Sequence, residues 1–556
     1  MEYFKFLRKE SKEFDRQLLV AGTFSGGVST LLIFTLTEAA SKISRDGSAF
    51  TQLFIAGLSL VAFFLSKRFT LNRTTVVVED IIRNVRLRIA QKLVCSDLAS
   101  LEALGKAPFF NVISMHAGVI SRATPAIIGA GSSLVLLCCA MLAILLLSST
   151  AFFLLIVTNA VLILSFYANQ NELGAEQDDV ARQENKLIKS FESLLDGFKE
   201  LKINSRKRSD FFEAEICSQT EACRQHRVGA GLVINQSVLL GSNSLYVVLI
   251  VLILLLPIVA PGDSVNLARI ATLIVFIFGP FGEVVGAYPQ ISEASASIRE
   301  IYRIESKLDS IFEMDAMCPG QPVAEADALA APSSVLFESI VCRQLSFKFH
   351  DEKGAPTFSL EPFDFDLKRG ELVFVTGGNG SGKSTFMRVL TTLYPQEQGQ
   401  ILFNNQLIGA HNRNEYRELF SPIFADFHLF DQLYGIDQID KGQIASLLGL
   451  AELQHKTSIE GKKITNTQLS TGQRKRLALL LALMEDKPIL LLDEWAADQD
   501  PVFRRKFYRE ILPDLKRSGK TIIAVSHDDE YYDVADRVLK MEFGKFVQVS
   551  MVQTPE

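Results

Sequence analysis

Six apolar stretches, near 17–37, 49–66, 125–148, 151–169, 231–260 and 266–290, constrain this chain more than any other feature. Each is long enough to cross about 30 Å of hydrocarbon at roughly 1.5 Å of helical rise per residue. The second, the shortest of the six, sits at the lower limit. All six lie in the first 290 of 556 residues. Composition agrees: 48 % of residues are hydrophobic, 22 % are charged and the mean hydropathy is +0.21. Disordered and collagen-like classes are excluded on those grounds. A net charge of −6 gives no reason to expect nucleic acid as a partner. The chain reads as an integral membrane protein with a soluble part.

Loop lengths and basic residues set an orientation. Connections 1–2, 3–4 and 5–6 are short, whereas 2–3 and 4–5 are long. The 2–3 loop carries Arg68, Arg73, Arg83, Arg86, Arg88 and Lys92, and the 4–5 loop carries Lys186, Lys189, Lys199, Lys202, Arg206, Lys207 and Arg208. Positive residues stay inside, so both loops and the N-terminus are expected on the cytosolic side, with Lys42 and Arg45 a mild exception. Helical patterning such as Glu192-x-Leu194-Leu195-x-x-Phe198 makes these loops extensions of the membrane helices. The first apolar run is read as a retained membrane helix, because no cleavage motif follows it. The seven cysteines are odd in number and form no C-x-x-C pair, which points away from a disulfide framework or zinc site.

The expected domains are a membrane domain over 1–312, a linker over 313–335 and a soluble domain over 336–556. The linker is rich in Ala, Pro and small polar residues. Beyond it, apolar runs such as Leu372–Thr376, Ile489–Leu492 and Thr521–Val525 alternate with helical ones. That alternation predicts an α/β domain around a buried, mostly parallel sheet.

The soluble part carries the chemistry. Gly377, Gly378, Asn379, Gly380, Ser381, Gly382, Lys383 and Ser384 spell G-x-x-x-x-G-K-S between the strand-like ELVFVT and a helical run opening with Thr385. Glycines let consecutive backbone N–H groups turn toward phosphate oxygens; the lysine reaches the β- and γ-phosphates, and the serine hydroxyl joins a Mg2+ shell. Further on, Ile489-Leu490-Leu491-Leu492-Asp493-Glu494 is an apolar strand ending in two carboxylates. Asp493 suits the Mg2+ shell, and Glu494 is placed to orient or deprotonate an attacking water.

Between these motifs, Leu469-Ser470-Thr471-Gly472-Gln473 precedes a basic amphipathic run. It resembles the LSGGQ signature of ABC-type ATPases, and nearly the whole chain resembles an ABC exporter half-transporter. The implied fold is a membrane α-helical bundle of six transmembrane helices fused to an α/β P-loop ABC nucleotide-binding domain. The resemblance implies a homodimer in a bacterial cytoplasmic membrane, with ATP held between the phosphate loop of one subunit and Ser470, Gly472 and Gln473 of the other. It also implies that His527 contacts the γ-phosphate, Phe349 stacks on adenine and Asp500 is the D-loop acid.

Three departures from the family pattern stand out. Ala425 occupies the place of the Q-loop glutamine, leaving Asp426 (a further Mg2+ candidate) or His428 to take over sensing. Trp495 stands where proline is usual, and the glycine-rich element often found before the signature is missing. FSPIFADFHLFD, LSTGQRKRLALL and LLLDEWAADQDP resemble bacterial exporters of cyclic peptides and peptide siderophores, the pyoverdine and syringomycin secretion type. Peptide-type cargo is therefore the expectation, alongside contact with membrane lipids; a lipid flippase or multidrug exporter is the alternative. Asn235, Ser242 and Tyr246 share one face of the fifth apolar run, and Glu283 follows Gly279-Pro280 in the sixth. These four are the candidate cargo positions, with helix–helix adhesion as the competing explanation.

Overall fold

A computed structural model describes residues 2–10, 24, 26–36, 39, 50–105, 107–168, 170–261, 267–311, 337–350, 355–436 and 440–551. The stretch 313–335, expected as a linker, lies outside the described residues. The chain divides into two compact units: Met1–Ile89 with Ala107–Glu305, and Ala90–Lys106 with Ser306–Glu556.

The first unit is helical. Among the described residues, Leu53–Val94, Pro108–Leu147 and Leu267–Ser310 are long and apolar enough to cross a membrane; Gly26–Leu36, Ser149–Thr158 and Tyr246–Val259 are shorter apolar helical segments. Each coincides with one of the six apolar stretches. The helices outrun their apolar parts: Phe50–Val94 has 45 residues, Ser218–Val259 has 42 and Leu267–Ser310 has 44. At 1.5 Å per residue these reach about 65 Å, roughly twice the hydrocarbon thickness. The basic long loops are thus helical continuations, as their patterning predicts.

Apolar side chains from four helices build the bundle core, among them Ile144, Leu155, Leu252 and Ile274. Arg88 ties its ends together, pairing with Glu10 at 2.8 Å and Glu305 at 2.7 Å. The last long helix continues through Pro280 and Pro289. Cys138, Cys139, Cys217, Cys223 and Cys342 are free, whereas Cys95 is disulfide-bonded.

The second unit holds two sheets. Strands β1 (Ser339–His350), β2 (Pro356–Lys368), β4 (Gln398–Phe403) and β5 (Gln406–Leu407) form an antiparallel sheet in the order β2-β1-β4-β5. Strands β3 (Leu372–Thr376), β6 (Phe420–Ile423), β9 (Ile489–Asp493), β10 (Thr521–Val525), β11 (Arg537–Glu542) and β12 (Lys545–Met551) order as β12-β11-β3-β10-β9-β6. The five from β11 to β6 run parallel, and β12 is antiparallel at the edge. A small hairpin, β7 (Ile459–Glu460) with β8 (Lys463–Ile464), stands apart.

Why the central strands are continuous apolar runs follows from their two covered faces. Val373, Val375, Leu491, Ile523 and Val525 enter the core shared with β1, β2 and helix Lys383–Leu390. Their alternating neighbours Leu372, Phe374, Leu490, Leu492 and Ile522 enter a second core with Trp495, Phe503 and Phe507. Side-chain alternation along each strand makes both possible at once.

The segment Ala90–Lys106 belongs to this unit. Its short helix Leu98–Leu104 is N-capped by Asp97, whose carboxylate accepts from Ser100 N at 2.8 Å. Leu98 and Ala99 pack on the first core, and Glu102 accepts from the Tyr394 hydroxyl at 2.5 Å.

Candidate active site

Strands β3, β9, β10 and β6 end together, and a functional loop leaves each. The carboxyl edge of a parallel sheet is where such folds bind ligands. After β3 the chain turns through Gly377 (φ +150°), Gly380 (φ +75°) and Gly382 (φ +104°), values that favour glycine. A Cβ at Gly377 would collide with the Met541 carbonyl, whereas open space faces Gly378 and Gly380. The loop is therefore seated on one side and vacant on the other, with Gly378, Asn379 and Gly380 exposed.

Lys383 opens helix Lys383–Leu390 and is buried. Its ammonium donates to Gly377 O at 2.9 Å and Gly378 O at 3.0 Å, and lies 3.9 Å from Glu494 Oε1. Burial lowers its pKa, partly opposed by Glu494 and Asp493. Ser384 and Thr385 follow in the first turn, half-buried.

Asp493 ends β9 almost fully buried. Desolvation raises its pKa, and hydrogen bonds from the Ser384 side chain and the Ala425 backbone oppose that rise. Its Oδ1, like Ser381 Oγ, has no hydrogen-bond partner among the described residues. Buried oxygens seldom stay unpartnered. An orphaned carboxylate oxygen beside a serine hydroxyl is an all-oxygen donor set, which fits Mg2+.

Glu494 comes next, with backbone at φ 49°, ψ 35°. In the parallel pairing of β10 with β9, Val525 lies opposite Asp493, so Ser526 and His527 leave the sheet beside Glu494. His527 Nε2 stands 3.3 Å from Glu494 Oε1. Register, rather than sequence spacing, makes this pair.

Ser470 N-caps helix Thr471–Met484. Its hydroxyl accepts from Gln473 N at 3.4 Å while Gln473 Oε1 accepts from Ser470 N at 3.3 Å, a reciprocal capping box. Gly472 sits where an added Cβ would lie 2.6 Å from the Asp498 carbonyl oxygen. Gln499 Nε2 donates to Gly472 O at 3.1 Å, and Asp500 caps helix Pro501–Lys506 through Phe503 N at 3.0 Å while pairing with Arg476 at 2.5 Å. Among the described residues no hydrogen bond joins Ser470, Gly472 or Gln473 to the Gly377–Ser384 loop.

The remaining predicted residues are dispersed. Phe349 is half-buried, edge-on to Phe347 (4.9 Å) and Tyr394 (5.4 Å). Asp426 accepts from Arg388 Nη2 at 3.2 Å, and the His428 ring packs on Phe430 at 5.0 Å. Arg388 also donates to the Tyr394 hydroxyl at 2.6 Å. Arg388, Tyr394 and Glu102 carry no motif, and Glu102 lies 292 residues from its partner. Lys475, buried in the signature helix, is likewise invisible as a site residue beforehand.

Asn235, Ser242 and Tyr246 lie on helix Ser218–Val259. Asn235 is exposed, and the Tyr246 ring meets Phe278 at 5.5 Å. Glu283 accepts from Ser133 Oγ at 2.5 Å across to helix Ala117–Leu147.

This phosphate loop, buried acid, half-buried second acid and capped signature helix define an ABC-type nucleotide-binding domain. The "ABC transporter" family model matches residues 360–497. A probable amino-acid ABC transporter ATP-binding protein of Haemophilus influenzae is 31 % identical over 215 residues, covering 34 % of this chain and 80 % of that protein. The chain belongs to the ABC transporter ATP-binding family. It is similar over a longer stretch to the ATP-binding protein SyrD of Pseudomonas syringae pv. syringae, at 36 % identity over 360 residues, 64 % of this chain and 62 % of SyrD. The chain spans 50–62 % of the length of the first curated relatives it matches. In fold it matches a bacterial Atm1-family ABC exporter with ATP bound, with TM-score 0.75 and 17 % identity over 98 % of this chain and 95 % of that one.

Proposed function

We propose that this chain is an ATP-driven exporter, acting as a homodimer in the bacterial cytoplasmic membrane, that moves a peptide-type cargo. The observation carrying this reading is a site made of two halves. Lys383, Ser384, Asp493, Glu494 and His527 converge on one open loop, yet among the described residues Ser470, Gly472 and Gln473 have no hydrogen bond to it. A second copy, arranged head to tail, supplies the missing half. Helix N-termini suit phosphate oxygens, and helix Thr471–Met484 begins at this signature. Similarity to SyrD and to the loop idioms of peptide exporters supports the cargo class.

In the proposed cycle the N–H groups of Gly378–Ser384 bind the phosphates of ATP, and Lys383 balances their charge. Phe349 stacks on adenine, and Asp500 holds the D-loop at the subunit boundary. Ser384 Oγ and Asp493 Oδ1 are the residues that would hold Mg2+, which neutralises phosphate charge when bound. Asp426, paired with Arg388, takes the sensing part instead. Glu494 orients the attacking water and accepts its proton as the bond to the β-phosphate oxygen breaks; His527 fixes the Glu494 carboxylate. Motion passes through the cytosolic ends of the 2–3 and 4–5 connections, and the 313–335 linker joins the proposed 1–312 domain to 336–556. Asn235, Ser242, Tyr246 and Glu283 are the candidate cargo positions.

Reconstitution in proteoliposomes tests this reading. Lys383→Ala should abolish both ATP hydrolysis and movement of a cyclic peptide while leaving membrane insertion intact. Wild-type turnover in the variant refutes the site. Movement of a fluorescent phospholipid but no peptide shifts the assignment to a flippase.

A further inference from the structure

Glu494 is held in the left-handed region, at φ 49°, ψ 35°, a strained place for a side chain with a Cβ. Something must hold it there. The Lys475 ammonium, nearly fully buried in the signature helix, donates to the Glu494 carbonyl at 2.7 Å and pairs with Asp498 Oδ2 at 2.7 Å. In return the Trp495 indole N–H donates to the Lys475 carbonyl at 2.7 Å. The indole is itself buried and lies on Phe507, ring centroids 4.2 Å apart.

These contacts form a closed loop of bonds. The side chain of Lys475 grips the peptide before Trp495, and the side chain of Trp495 grips the peptide of Lys475. Sliding the strand end along the helix breaks both bonds together. Trp495, a departure from the family pattern, acquires a purpose: proline has no N–H on its side chain with which to return the bond. Gly472, close against the Asp498 carbonyl, leaves no slack one turn earlier.

We infer that Lys475 and Trp495 are positioning residues for hydrolysis, a reciprocal lock that fixes the Glu494 carboxylate by its own backbone and ties it to the signature helix of the same chain. This rests on the reading of Glu494 as the residue that activates water. Both side chains are buried, so neither is placed to contact nucleotide. A burden confined to the strained peptide should therefore affect turnover and leave ATP affinity alone.

The test uses the full-length protein in detergent or nanodiscs, measuring kcat, KM and equilibrium binding of a fluorescent ATP analogue. Lys475→Met keeps an apolar stem of similar reach and removes the donor. Displacing a catalytic group by about an ångström costs on the order of 100-fold, so kcat should fall about 10- to 100-fold with nucleotide affinity within about twofold of wild type. Lys475→Arg, which retains cationic N–H donors, should recover much of the loss. Trp495→Phe attacks the lock from the other side and should lower kcat several-fold even where Lys475→Met folds poorly. Unchanged kcat in folded Lys475→Met, or in Trp495→Phe, overturns the lock, as does a fall in affinity equal to the fall in kcat. Glu494→Gln is measured in parallel. If it turns over at the wild-type rate, the role of Glu494 fails and the lock with it; if it is inactive while Lys475→Met is unaffected, only the lock fails.

Discussion

Gly472→Ala offers a sharp test of the packing between the signature helix and the segment after β9. The added methyl would lie 2.6 Å from the Asp498 carbonyl oxygen and 3.5 Å from Gln499 Oε1. Real Cβ atoms essentially never approach within 3.0 Å, and the clashing atom is backbone. The helix and the 495–498 turn must then separate by about 0.7 Å, an overpacking that typically costs about 1–3 kcal/mol. Separation is resisted by the bond from Gln499 to Gly472 O and by the Lys475–Asp498 pair. A domain of this size loses about 2–4 °C of melting temperature per kcal/mol, so the shift should be roughly 2–12 °C. The protein has one tryptophan, Trp495, buried in the affected core, so its fluorescence reports this domain without interference from the membrane helices. Melting without nucleotide separates the steric effect from any part Gly472 plays in ATP binding. Thr471→Ala, at the exposed neighbouring position, is the control and should stay within about 0.5 kcal/mol. A Gly472→Ala protein that melts with the wild type refutes the close approach.

Two other expectations concern assembly and reactivity. If each ATP site takes Ser470 from the opposite chain, isolated heterodimers of wild type with a Lys383→Ala,Ser470→Ala chain contain no normal site. Nucleotide trapping should then be close to background, and half of the wild-type trapping would contradict head-to-tail pairing. Burial pushes the Cys342 thiol up to about 12, so its nucleophilic thiolate is scarce at neutral pH, whereas Cys217 is exposed. A short maleimide pulse on the folded protein, read by peptide mass spectrometry, should label Cys217 and spare Cys342. Equal labelling would show that the β1 core opens readily.

What the sequence by itself determined is local or periodic. Long apolar stretches specify apolar helices because a helix satisfies its backbone polar groups within its own segment. G-x-x-x-x-G-K-S needs only a strand before it and a helix after it. Ser470 and Gln473 carry their capping box within four residues. Contacts between distant segments were settled by tertiary structure. His527 meets Glu494 because β9 and β10 pair in one register, with Val525 opposite Asp493. Arg388 takes Asp426 and Tyr394, and Tyr394 takes Glu102, because helices far apart in sequence end at one place. Lys475 reads as one more cation on a basic amphipathic run; only the packing of that helix against β9 buries it and aims it at a strained carbonyl. A short motif records the chemistry that backbone geometry demands of its own residues, whereas the partners that hold those residues in place are chosen by sheet register and helix packing, which leave no fixed spacing in the chain.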